Sequence, residues 1–214
     1  MNTTGILTKK QVLEYIKEGK LKFSPEIDAF QVQSHSVDLR LGYSFMVPRR
    51  WSLTEKGREA FLVDYLDERD RFEIVELEHK QFFDLLPQES VVATTLEEVS
   101  LPDDLMAVLY PRSSINRKGL SVDLSGIIDA GYEGRLLIPI TNNTSHVIRL
   151  YPGERFCQLV FYPLSHPVKV KQSRWHKKDI VIGRLSEKNK TEERMIVKGD
   201  IKGLKQKYSI NKAS

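Results

Sequence analysis

Between residues 37 and 164 the apolar residues come in short runs, and Gly, Pro, Asn or Asp stops each one. The runs are "SVDLRLGYSFMV", "ESVVATTLEEVSLP", "LMAVLYP", "LSVDLSGII", "RLLIPITNN", "HVIRLYPGE" and "RFCQLVFYPL". Segments this short, with turn formers between them, predict strands joined by tight connections and argue against alternating strand–helix units. The expected architecture is an all-β sandwich or barrel. One helix is expected before it, in "LTKKQVLEYIKEGKL". There Thr8 and Gln11 form a capping box, Val12, Leu13 and Ile16 share a face, and Gly19 stands where the helix should stop.

Two stretches depart from this rhythm. The segment "LTEKGREAFLVDYLDERDRFEIVELEHKQFF", near 52–82, is highly charged and reads as a partly helical excursion from the β body. Beyond Pro167 the chain turns polar and basic, with "IVIGRL" and "RMIVKGDI" as candidate short strands. The expected organisation is therefore a β domain over 1–164 and a basic extension over 165–214. With 214 residues, 40% of them hydrophobic, the chain can fill one core and carry a small appendage.

Charge and cysteine usage narrow the setting. The net charge is +4, yet from Ser165 onward there are fourteen Lys or Arg against five Asp or Glu. Such a tail can meet a polyanion. It lacks arginine–aromatic interleaving and any nucleic-acid motif, so a solvated lysine-rich surface is the preferred reading over nucleic-acid contact. No apolar run is long enough to cross a bilayer, and "MNTTGILTKKQ" lacks the layout of a signal peptide. Cys157 has no second cysteine to pair with, and a reducing, cytoplasmic location is expected. Within "RFCQLVF" it reads as a small buried hydrophobe.

Four segments place polar residues where a core would not want them. In "HSVDLRLG", Asp38 and Arg40 alternate with Val37, Leu39 and Leu41. That pattern is a half-buried strand, but a mid-strand aspartate is disfavoured and calls for a partner such as an arginine. In "YPRSSINRKGL", Arg112, Ser113 and Ser114 offer a guanidinium and hydroxyls to phosphate oxygens, or else form a Ser/Asn-rich turn. The order of a Walker loop is absent. In "GIIDAGYEGRLLIPI", Asp129 reads locally as the polar corner of a hairpin, and Pro139 interrupts the strand that follows. In "YPGERFCQLVF", Gln158 sits inside a strand and needs hydrogen-bond partners, for which a ligand is one source. The five histidines are scattered, and no zinc-deaminase signature is present.

Taken in order, "SVDLRLG", "PRSSINRKGL", "GIIDAGYEGR" and "PGERFCQLVF" resemble the first four motifs of the dUTPase and dCTP deaminase superfamily. The helix and "ESVVATTLEEVSLPDDL" resemble its deaminase-like branch, and the likeness spans about residues 5–164. The resemblance implies a distorted β-barrel or jelly-roll subunit with a short N-terminal helix, a homotrimer, and active sites shared between subunits. It implies that Asp129 holds the sugar 3′-hydroxyl and orients the attacking water, and that Tyr132 packs on the deoxyribose. Arg112, Ser113, Ser114 and Gln158 would gather the triphosphate, and Asp38 would support the arginine or a water on the metal. Arg117, with Ser113, matches deaminase positions, and Asp123 stands where the base is read. Mg2+ is implied as the cofactor, bound mainly by the substrate phosphates.

Two chemistries live on this fold, and Pro139 bears on the choice. The deaminases carry a proton-shuttling glutamate ten residues after the aspartate matching Asp129; here that position is Pro139. A proline cannot carry the proton, so the expected activity is that of a dUTP diphosphatase, giving dUMP and diphosphate. The alternatives are a dCTP deaminase or bifunctional deaminase–diphosphatase, and a non-catalytic nucleotide-binding regulatory module. Pro139 also predicts a sheet edge or a bulge. The glycine-rich C-terminal motif that closes over the base in dUTPases is missing, which leaves Trp175 or Tyr208 as candidate lids.

Overall fold

The computed structural model describes residues 5–61, 72–123, 126–169 and 190–209. They fall into two compact units, 5–50 with 72–169 and 51–61 with 190–209. In the first unit, helix α1 (Lys9–Lys17) leads into β1 (Lys22–Ser24) and the long β2 (Val37–Pro48). The second unit contributes the hairpin β3 (Trp51–Thr54) and β4 (Gly57–Ala60). The first unit then continues through β5 (Phe72–Glu76), β6 (Phe83–Leu85), β7 (Ser90–Ser100) and β8 (Leu105–Pro111). After the one-turn helix α2 (Ser113–Asn116) come β9 (Leu120–Val122), β10 (Ile127–Ile128), β11 (Glu133–Asn142), β12 (Ile148–Leu150) and β13 (Arg155–Pro163). Helices α3 (Lys190–Val197) and α4 (Ile201–Lys207) complete the second unit.

The predicted mainly β class is what forms. One nine-stranded sheet runs in the order β10-β8-β13-β2-β7-β11-β9, with β1 added to β7 and β5 to β2. Strand β2 pairs with β13 over Val37–Arg40 and with β5 from Ser44 onward, and it meets β7 between Leu41 and Met46. Changing partners along one strand is how a twisted sheet curls, here into a half-barrel. The bend in the β2–β7 pairing lies between Leu41 and Phe45 and needs Gly42. A Cβ there would stand 2.6 Å from the Thr94 hydroxyl and 2.8 Å from the Thr95 carbonyl oxygen.

The curl encloses a core of Leu7, Leu21, Leu39, Phe45, Leu109, Ile138, Leu159 and Phe161 among others. Phe45 and Phe83 stack with ring centroids 4.3 Å apart. Full burial of such a side chain stabilises by roughly 1.5–3 kcal/mol. Cys157 is buried in this core as expected, and burial pushes its thiol well above the ordinary range.

Helix α1 starts as predicted, with the Thr8 backbone N–H donating to the Gln11 side chain at 2.9 Å. It stops at Gly19, whose φ of 70° suits glycine. Its packed face is Val12 with Ile16; Leu13 is exposed, because position 13 turns about 100° away from Val12. The charged excursion is not helical where it is described: it forms the β3–β4 hairpin and β5, and residues 62–71 lie outside the described residues. "RMIVKGDI" corresponds to the end of α3 and the start of α4, not a strand. Asp200 caps α4 by accepting from the Gly203 N–H at 2.9 Å, a local start signal that outweighs β-propensity. "IVIGRL" and Trp175 lie outside the described residues. Among the described residues no helix is long and apolar enough to cross a membrane.

Candidate functional site

Asp38 is the centre of a cluster built by three neighbouring strands. Its side chain is 2% exposed, and its carboxylate meets Arg112 Nε and Arg155 Nη1, each at 3.1 Å. Arg112 follows the end of β8, Arg155 opens β13, and Asp38 lies in β2, so the sheet order β8-β13-β2 brings the three together. Arg112 also donates from Nη1 to the Arg155 carbonyl at 2.9 Å. Arg155 donates to the Phe30 carbonyl as well. Burial pushes the Asp38 carboxyl up, against the opposing pull of Arg112 and Arg155. The partner that a mid-strand aspartate requires is thus a pair of arginines.

Behind Asp38 lies a second buried carboxylate. Glu97, 1% exposed, accepts from Gln31 Nε2 at 2.8 Å and from the Arg40 N–H at 2.9 Å. The same Gln31 nitrogen donates to the Asp38 carbonyl at 2.9 Å, tying the two acids into one network. Burial raises the Glu97 carboxyl, partly offset by these donors. Arg155, Glu97 and Gln31 were not among the residues singled out from sequence. Arg155 stands three residues before Gln158 inside a quoted motif, so its strand position was a usable signal; Glu97 and Gln31 carried none.

The remaining phosphate-side candidates gather at the same end. Ser113 and Ser114 are exposed in the turn that Arg112 begins, and Arg117 donates from Nε to the Ser113 carbonyl at 3.2 Å. Gln158 lies directly across from Asp38 in the β13–β2 pairing. Its amide donates to the Pro111 carbonyl at 3.3 Å and accepts from the Ser36 hydroxyl at 3.2 Å. The chain itself therefore supplies partners for Gln158, and no ligand is required for that purpose.

Asp129 and Tyr132 lie elsewhere. Strand β10 pairs Ile128 with Ala107, which sets Asp129 beside Met106 at the start of β8, while Arg112 follows its far end. Six strand residues correspond to roughly 20 Å, so one chain does not bring Asp129 to Arg112. Asp129 is exposed, and its carboxylate has no partner among the described residues. Tyr132 packs against the core and donates its hydroxyl to the Arg135 carbonyl at 2.7 Å; burial raises its phenol to about 12.

Pro139 sits in mid-strand with no bulge; the irregularity in β11 falls between Arg135 and Leu137. The Pro139 carbonyl accepts from the Asp123 N–H at 2.9 Å. In an antiparallel ladder a residue's N and O point to the same neighbour, so the missing proline N–H faces Asp123, just beyond the last residue of β9. The edge expected at Pro139 exists only in this local sense, since β7 flanks the strand on its other side. Asp123 is exposed, and its carboxylate accepts from the Thr141 hydroxyl at 2.6 Å. Among the described residues no group of three or more His, Cys, Asp or Glu gathers to hold a metal.

The family model described as dCTP deaminase-like matches residues 6–164. The chain belongs to the dCTP deaminase-like family. It is 38% identical over 170 residues to a protein of Methanobrevibacter smithii named "dCTP deaminase, dUMP-forming", covering 78% of this chain and 84% of that one. A Dictyoglomus thermophilum protein of the same name is 39% identical over 166 residues, covering 77% and 83%. Among solved structures, the 2'-deoxycytidine 5'-triphosphate deaminase from Agrobacterium tumefaciens matches with a TM-score of 0.58 and 29% identity, over 77% of this chain and half of that one. These relatives overturn the expectation of a dUTP diphosphatase. That expectation rested on the side chain missing at position 139, yet in a sheet the space beside one residue is shared with the residue across from it. Here the residue across is an aspartate.

Proposed function

We propose that this member of the family acts on dCTP and forms dUMP, removing the amine from the base and splitting off diphosphate. The observation that carries the choice of base is Asp123, an exposed carboxylate held at one oxygen by Thr141. A carboxylate accepts hydrogen bonds and donates none, so it suits the exocyclic amine of cytosine and repels the O4 of uracil. The names of the curated relatives support the same substrate.

In this reading the Asp38 cluster is the triphosphate end. Arg112 and Arg155 are held in place before substrate arrives, which lowers the ordering cost of binding. Ser113, Ser114 and Arg117 add exposed donors at the same corner, and Gln158 braces the β13–β8 junction beneath it. Asp129 orients the water whose oxygen attacks the α-phosphorus as the bond to the bridging oxygen breaks and diphosphate leaves. Tyr132, with its hydroxyl engaged, presents its ring as a rigid wall beside the sugar. Magnesium brought with the triphosphate would be held mainly by the phosphates, with the exposed Asp129 as the carboxylate that would meet it, and it would neutralise phosphate charge. Asp38 is already engaged by two arginines, so its part is to position them.

The roughly 20 Å between Asp129 and Arg112 within one chain supports sites completed by a second copy, with a homotrimer as the assembly. Purified protein with magnesium should release ammonia and diphosphate from dCTP and yield dUMP. Asp129→Asn should slow diphosphate release by about 100-fold or more. Absence of any deoxyuridine nucleotide from dCTP would falsify the reading.

A further inference from the structure

We infer that Asp123 carries the protons of deamination in place of the side chain that position 139 lacks. This rests on the dCTP reading above and assigns its missing acid–base group. The β9–β11 register pairs Val122 with Ile140 and Ser121 with Thr141, so the next pair outward is Asp123 with Pro139. The 2.9 Å bond from the Asp123 N–H to the Pro139 carbonyl holds that pair in place. Residues directly opposite in an antiparallel ladder project on the same face with Cβ atoms about 4.5–5.5 Å apart. The Asp123 carboxylate therefore stands beside the space that a longer side chain at 139 would enter.

The carboxylate is also aimed. Thr141, two residues after Pro139 and so on the same face of β11, donates to Asp123 Oδ2 at 2.6 Å. Thr141 is fixed in turn by Ser90 across the other ladder, with the two hydroxyls 2.8 Å apart. A hydroxyl row from β7 through β11 thus ends on Asp123. Among the described residues its second oxygen, Oδ1, accepts no hydrogen bond, and the residue is exposed. Proline at 139 adds only a ring, which neither competes for the proton nor covers the acid.

The step balances with water alone. Asp123 takes a proton from the attacking water and passes it to N3 while the water oxygen bonds to C4. It then takes the remaining hydroxyl proton and passes it to N4; the C4–N4 bond breaks, ammonia leaves, and C4 becomes the carbonyl of uracil. Asp123 ends as it began. Thr141 is a positioning residue for this acid, not a participant.

The test uses the full-length protein with dCTP and magnesium, measuring ammonia release, dCTP affinity at equilibrium and melting temperature. Asp123→Asn should lower ammonia release by about 100-fold or more, well beyond the smaller loss of dCTP affinity expected from its contact with the base amine, and melting should be unchanged. Thr141→Val should lower kcat with KM unchanged. Asp123→Asn combined with Pro139→Glu should recover ammonia release, because the acid is returned across the ladder. If Asp123→Asn keeps the rate within about twofold, or loses affinity in the same proportion as rate, Asp123 is not the proton carrier. A wild-type protein that releases no ammonia overturns the dCTP reading itself and this inference with it. A wild type that is active beside an unaffected variant overturns only the inference.

Discussion

The buried and the exposed carboxylates of this domain are opposites. Around Asp38 everything is closed: two guanidiniums, a buried Glu97 and a bridging Gln31 answer one another inside the sheet. Around Asp123 and Asp129 the acids are exposed, with one hydroxyl bond to the first and none to the second among the described residues. The difference follows from solvation. A buried charge must be answered by the chain itself, or the fold pays several kcal/mol. An exposed carboxylate is answered by water, and water can be exchanged for substrate. The closed side holds a fixed pattern of positive charge, and the open side is left accessible to solvent.

The strongest way to break this contrast is Asp38→Ala. Removing the acid leaves two facing guanidiniums, and about 3 kcal/mol of stability should be lost. That is the low end for a broken buried pair, because both arginines keep some contact with water. Urea unfolding should show a lower midpoint at unchanged slope; an unshifted midpoint would mean that the cluster is not closed.

A second test lies in alkali. Folded Tyr132 keeps its proton to about 12, whereas the unfolded chain releases it near 10.0. Stability is therefore whole below the lower value and is lost as pH rises towards the higher one, by about 1.4 kcal/mol per pH unit. Tyr132→Phe should flatten this part of the stability–pH curve relative to wild type. Parallel curves would show that the ring is not sealed against the core.

The smallest effect is expected at Asp129. Asp129→Asn should leave unfolding stability within about 0.5 kcal/mol of wild type, since an exposed side chain with no partner among the described residues has little to lose. Its effect should fall on turnover. A large loss of stability here would mean that the open side has a structural partner after all.

Much of this was legible in the residues. The rhythm of apolar runs and turn formers specified strands, because alternation and chain reversal are local properties. The need of Asp38 for an arginine was readable from its mid-strand place. What misled was a one-to-one carry-over at Pro139, where the loss of a side chain looked like the loss of a function. Helix α4 was missed because the Asp200 cap acts through a single bond to Gly203 that apolar content does not reveal. Leu13 is exposed, against expectation, because three aliphatic residues in nine leave the packed stripe of a short helix underdetermined.

Local patterns along the chain suffice for the strands, the helix cap at Thr8, the buried state of Cys157 and the family motifs. Each depends on residues close together in the chain. The folded sheet alone shows that Arg155 joins Arg112 on Asp38, that Glu97 and Gln31 stand behind them, and that Asp123 faces Pro139. Those pairings span up to 117 residues and depend on sheet order and register. Order and register come from the packing of the whole core, which no local pattern encodes.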